Sequence, residues 1–258
     1  MESAAATGAG DRARVDSAAT GAGDRLTAKS DAIPRRNAGV LTLADCWRAF
    51  VRHPSPPVLG GAIVAAIALR AVLGRFDWRD LVVAAGVVAL TPPVEWLIHV
   101  YLLHAKPIRL GPLRHDLVAA REHRAHHMAP AELGGVLLPR YAVWVFLAMI
   151  AGTVALVSFP IHWVLGGDQV AHAATGLLGS YLILGIYEWS HFLIHTPYRP
   201  RSRYYRAIWR GHRLHHFKNE RYWFGVTSTV ADHLLRTAPD QRVVAKSDTA
   251  RTLGTDIR

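Results

Sequence analysis

Apolar residues in this chain are gathered into runs rather than spread along it. Four stretches are long and almost free of charge: Val58 to Leu73, Leu81 to Leu103, Tyr141 to Leu165, and Val170 to Ile194. A bilayer core takes about 20 residues of helix to cross, and the second, third and fourth runs meet that length. The first is shorter and carries Arg70, which is expected to snorkel to the interface. The pattern predicts an all-α integral membrane protein with four transmembrane helices in two hairpins. Residues 41–240 form that domain. The first forty residues are mostly Ala, Gly, Ser, Asp and Arg, with "AATGAGDR" at Ala5 to Arg12 repeated at Ala18 to Arg25. Such composition buries too little surface to order itself, so 1–40 is predicted to be a disordered tail, as is 241–258. No secretory signal is visible, because Met1 to Ala38 holds no apolar core segment.

The formal charge of +11 invites a nucleic-acid reading until its placement is examined. Before the first run there are eight Lys/Arg against six Asp/Glu; between the second and third there are six against three; after His195 there are thirteen against five. The two remaining connections carry no net positive charge. This is the positive-inside arrangement. It places both termini and the central loop in the cytoplasm, in a multi-pass inner cell membrane, and makes a nucleic-acid partner unnecessary. The basic stretch Arg199 to Arg213 faces either anionic headgroups or an acidic protein partner. Cys46 is the sole cysteine, which excludes disulfides within the chain and thiolate metal sites.

The candidate chemistry lies at the ends of two spans. "VEWLIHVYLLH" follows Pro92-Pro93, a pair expected to kink its helix, and "GIYEWSHFLIH" closes the fourth run. Each carries a Glu-Trp pair before two histidines, and each precedes an H-x2-H-H, 19 or 17 residues on. One unit is used twice. The set is His99 and His104; His123, His126 and His127; His191 and His195; and His212, His215 and His216. On a helix, residues i, i+3 and i+4 share a face, so each H-x2-H-H is expected to aim three imidazoles at one point. His99 and His104 break the pattern, since five residues turn a regular helix by about 500°. The Pro92-Pro93 distortion, a π-bulge, or a helix ending before His104 can re-aim them.

Neutral imidazoles add little charge at pH 7, so a metal is the economical account of ten of them. Ten nitrogens exceed what one first-row ion takes, so two ions are implied. All-imidazole sites with open positions suit iron, and zinc or another divalent ion can occupy them in vitro. Glu95 and Glu188 precede the first histidine of their pairs by four and three residues, and are expected to accept imidazole N–H groups. His53, His162 and His172 read as interfacial packing. His115 is a weaker candidate that can share a helix face with His123, and His233 is weaker still. Trp78, Trp144, Trp163 and Trp189 read as interfacial anchors.

The ordered histidine boxes, with "HHFKNERYWFGVTSTVADHLLRT" after the last, resemble the fatty acid hydroxylase superfamily, which includes sterol desaturases and carotenoid hydroxylases. The spacing is most similar to the fatty acid 2-hydroxylase branch, and the resemblance covers about Leu81 to Pro239. It implies an integral membrane oxygenase with a cytoplasmic helical cap carrying the histidine boxes, whose two irons are held by the ten histidines, with Asp232 behind them and dioxygen as co-substrate. It also implies a lipid substrate within the membrane. Relatives often carry a fused cytochrome b5, but no His-Pro-Gly-Gly motif occurs here; electrons must then come from a separate cytochrome b5-like protein, ferredoxin or reductase. Oxygen rebound to the substrate gives an alcohol, and loss of a second hydrogen an alkene. A fatty acyl chain is the leading substrate. A sterol or isoprenoid ring is the alternative on the same scaffold, and a non-catalytic metal-binding or transporting protein is the alternative in another class.

Overall fold

The computed structural model describes residues 42–111 and 113–255; the tail expected over 1–40 lies outside the described residues. Helix α1 (Leu43–Arg52) starts at a capping box, in which the Asp45 N–H donates to the Thr42 hydroxyl (3.2 Å) and the Thr42 N–H to the Asp45 carboxylate (3.0 Å). It buries Cys46 and Phe50, one turn apart. Helix α2 (Ser55–Leu73) opens on prolines, which cost nothing where backbone N–H groups have no helical partner. Helix α3 (Trp78–Leu97) starts at Asp77 and runs through Pro92-Pro93 into a π-helical segment, Ile98–Leu103. Strands β1 (Ile108–Leu110) and β2 (Leu113–His115) form a small antiparallel hairpin, a local departure from the all-helical expectation. Then come α4 (Val118–Met128), α5 (Arg140–Leu165), α6 (Gln169–His195), α7 (Arg203–Phe217) and α8 (Val230–Leu234).

Among the described residues, four segments are long and apolar enough to cross a membrane: Ser55–Leu73, Trp78–Leu103, Leu133–Leu165 and Gln169–His195. Helix α6 is their hub. It packs on α2, α3 and α5, and α2 and α3 meet it far more than they meet each other. Glycines make the close approach possible: a Cβ at Gly179 would stand 3.4 Å from Val87 on α3, and one at Gly185 3.4 Å from Ile63 on α2.

Arg70 does not snorkel. It is 1 % exposed, and its guanidinium donates to Asp80 (3.0 Å), to Thr175 on α6 (2.8 Å) and to the Arg75 carbonyl (3.1 Å). Asp80 also accepts from the Asp77 N–H (2.9 Å). A charge in an apolar run is tolerable when fully paired, and this one ties three spanning helices at the end away from the histidines. Asp77 and His172 lie in the same knot, with His172 Nε2 3.4 Å from Asp77 Oδ1. Because Arg70 and Arg79 already balance both carboxylates, the group reads as an ion-pair network rather than a cation site.

The segment from Gln241 onward corrects an expectation. Over 241–255 it is laid along the cap in turns: the Ser247 N–H donates to the Lys218 carbonyl (2.8 Å), the Asn219 amide to the Ala245 carbonyl (3.2 Å), and the Thr249 hydroxyl to Glu220 (2.6 Å). Ala250 and Leu253 are buried. Polar composition suggested disorder, but these contacts run through main-chain groups and small hydroxyls, which composition does not weigh.

Candidate metal centre

Spans α3 and α6 end in histidines, and α4 and α7 lie against those ends. The π segment answers the question of His99 and His104: the His104 N–H donates to the His99 carbonyl, an i→i+5 bond of 3.1 Å. That wider turn brings a residue five along back over the first, and the two rings stand 5.0 Å apart.

All ten predicted histidines come together in two groups of five. One holds His99, His104, His123, His127 and His215; the other holds His126, His191, His195, His212 and His216. Within each group, one nitrogen per ring lies within 4.8 Å of the others. The H-x2-H-H boxes do not converge on single points, however. Each sends its i,i+4 pair to one group and its i+3 member to the other. At 100° per residue, i and i+4 differ by about 40°, whereas i+3 and i+4 differ by about 100°, enough to face a neighbouring centre. Thus His126 crosses to the second group and His215 to the first. The rings of His127 and His216 stack at 4.0 Å where the groups meet.

Main-chain carbonyls hold several rings from behind. His99 Nδ1–H donates to Phe224 O (2.6 Å), His127 to Ala250 O (2.9 Å), His195 to Pro130 O (2.8 Å) and His215 to Tyr222 O (2.8 Å). A carbonyl can only accept, so the proton sits on Nδ1 and Nε2 is left as a lone pair. Those lone pairs point inward. Nε2 of His99, His104, His191 and His215 has no hydrogen-bond partner among the described residues. Elsewhere Nε2 atoms face one another, at 3.1 Å for His123 and His127 and 3.2 Å for His126 and His195. Burial, then the neighbouring imidazoles, pushes His123, His126, His212, His215 and His216 well below the usual histidine range. Burial brings His127 to about 4, the Ala250 bond opposing it. Buried donors kept neutral and aimed at common points fit cations, five nitrogens to each.

The carboxylates act differently from expectation. Glu95 accepts from the Thr227 N–H (3.0 Å) and also holds the Val226 N–H and the Thr227 hydroxyl. Asp232 accepts from the N–H groups of Phe224 (3.0 Å) and Gly225 (2.8 Å). Neither touches an imidazole; together they clamp the loop whose carbonyls hold His99 and His215. Gly225 is required there, since a Cβ would collide with the Ser228 carbonyl. Glu188 accepts from the Leu138 N–H (3.1 Å) and the Ser55 hydroxyl (3.3 Å), joining α6 to the starts of α2 and α5. His115 is exposed on β2, off the α4 face, and His233 is exposed with Nδ1–H donating to the Thr229 carbonyl. Trp189 packs edge-on to Trp47 and Phe50, whereas Trp78, Trp144 and Trp163 are exposed as anchors would be. The carbonyl acceptors have no side-chain signature and were not foreseeable. Buried Glu220, four residues past the last box, was overlooked.

Four apolar spanning helices carrying two interlocked five-histidine centres define a multi-pass membrane protein with a metal-binding histidine core. The fatty acid hydroxylase family profile matches residues 83–237, and the chain belongs to that family. It is 25% identical over 148 residues to the fatty acid 2-hydroxylase of Rattus norvegicus, a match spanning 56% of this chain and 36% of the rat protein. The chain therefore aligns with about a third of that relative's length. A solved structure, "Full length scs7p (only hydroxylase domain visible)", shares the fold, with a TM-score of 0.53, 19% identity, and coverage of 79% of this chain and 69% of that one.

Proposed function

We propose that each five-histidine group holds one iron ion and that the protein is an O2-dependent hydroxylase of a fatty acyl chain. The observation that carries this reading is the set of buried, neutral imidazole nitrogens meeting at two adjacent points. His99, His104, His123, His127 and His215 would ligate one ion, and His126, His191, His195, His212 and His216 the other. Iron bound there supplies the means to use dioxygen: R–H, O2, two electrons and two protons give R–OH and water. The chain's own work is positional. Carbonyls of Phe224, Ala250, Pro130 and Tyr222 fix the ring tautomers, burial excludes bulk water, and Glu95 and Asp232 brace the loop behind.

The substrate class follows from the family and from the bilayer, which lets a lipid reach the cap without crossing water. An apolar hollow of about 410 Å³ opens between α2, α5 and α6, lined by Ala62, Ala66, Leu69, Leu147 and Tyr181 among others. Tyr181 is ten residues, roughly 15 Å of helix, before His191, a depth an acyl tail spans when its head lies at the cap. The charge pattern supports a cytoplasmic cap in the inner membrane, with electrons from a separate acidic carrier.

The test is iron analysis of purified protein together with lipid profiles of cells with and without the gene. Two irons per chain and a new hydroxyacyl species are the expected result. An altered sterol or isoprenoid would shift the substrate to a ring compound. No oxygen uptake with iron loaded, reductant supplied and several lipids offered would favour metal binding or transport without catalysis.

A further inference from the structure

The segment 241–255 lies outside the family-matched residues, yet it reaches one of the two metal groups and not the other. Its Ala250 carbonyl takes the His127 Nδ1–H at 2.9 Å, and the Arg251 guanidinium donates to the Met128 carbonyl (3.0 Å) at the end of α4. Three further ties fix the segment to the end of α7 and just beyond: Ser247 N–H to the Lys218 carbonyl, the Asn219 amide to the Ala245 carbonyl, and Lys218 Nζ to the Gln241 carbonyl. The Thr249 hydroxyl donates to Glu220, and Ser247 and Thr249 hydroxyls lie 3.0 Å apart. The other group receives its carbonyl from Pro130, within the family segment.

We infer that residues 241–255 are a strap that positions His127 and so secures metal at the first group alone. This rests on the reading of both groups as metal sites. The Ala250 carbonyl holds the His127 proton on Nδ1 and its Nε2 lone pair inward. Without the strap that ring is free to flip its tautomer or turn away, and one of five donors is lost. Outer partners of ligating histidines change metal affinity by about 10–100-fold. Glu220 is the latch: buried beside the strap, it fixes Thr249, the residue before Ala250.

The experiment compares iron per chain, by mass spectrometry, in the full-length protein and in a chain ending at Asp240. Two ions in the first and one in the second, with the second restored by a peptide of residues 241–258, is the expected result. Two ions in both, or loss of both together, overturns the strap. A full-length chain without iron overturns instead the metal reading beneath it. Should the truncated chain not fold, Glu220→Ala with Thr249→Val serves in its place: one of the two irons should pass to a chelator at least tenfold faster than from the unaltered protein. Equal release of both overturns the inference.

Discussion

His126 and His215 are the two rings that cross between groups, and on the proposed two-iron reading their removal separates the centres. His126→Ala opens the second group and His215→Ala the first, so each variant should hold about one iron where the unaltered protein holds two, and both should lose hydroxylation. Full metal content in either variant, measured on purified protein, would show that its ring does not ligate. The protonation of the cap histidines predicts a second behaviour. In the metal-free protein His127 titrates near 4, and its neighbours also lie well below the unfolded value near 6.5. Their folded values being depressed, the unfolded chain binds more protons below pH 6.5. Stability is therefore full above that pH and falls as pH drops toward 4, by about 1.4 kcal/mol per pH unit for each such ring. Thermal unfolding of metal-free protein in detergent between pH 7.5 and 5 should show the decline; a flat profile would refute it.

Elements decide how those residues meet. The π turn at Ile98–Leu103 lets an H-x4-H pair act as one, and its only trace in the sequence is the odd spacing itself. The ten histidines and four spans were legible because imidazole pattern and apolar length are local signals. Sharing of the boxes between groups was not, because it depends on how α4 and α7 lie against the spans. Nor was the task of Glu95 and Asp232, whose partners are backbone N–H groups more than a hundred residues from Glu95. The loop they clamp gives a prediction at this scale. Glu95→Gln replaces an acceptor of several N–H and O–H groups by a poorer one, and should weaken iron binding at the first group about tenfold, leaving the second unchanged. Gly225→Ala should do so more severely, by collision with Ser228. Iron titration against a chelator distinguishes these outcomes from a general loss of fold, which would lower both sites together.

Across the whole molecule, the ends of the bundle have different jobs: one gathers imidazoles, the other gathers Arg70, Asp80, Thr175 and Asp77. Arg70 and Asp80 are buried in the second knot, and removing one leaves the other's charge uncompensated. Arg70→Met should cost about 3–5 kcal/mol, seen as a lower unfolding temperature in detergent, with iron still bound in the fraction that remains folded. Arg70→Met with Asp80→Asn should recover part of that loss. An unchanged melting temperature for the single variant would mean the network contributes little.

The crossing of His126 and His215 has a bearing on how the protein is made. A ribosome that has delivered α1 through α5 has supplied only four rings of the first group, His99, His104, His123 and His127, and a single ring of the second. Neither group has all five of its rings until α7 has emerged and docked. Assembly of either five-imidazole group is thereby deferred until α7 is made, and a nascent fragment stalled after α5 presents neither group whole.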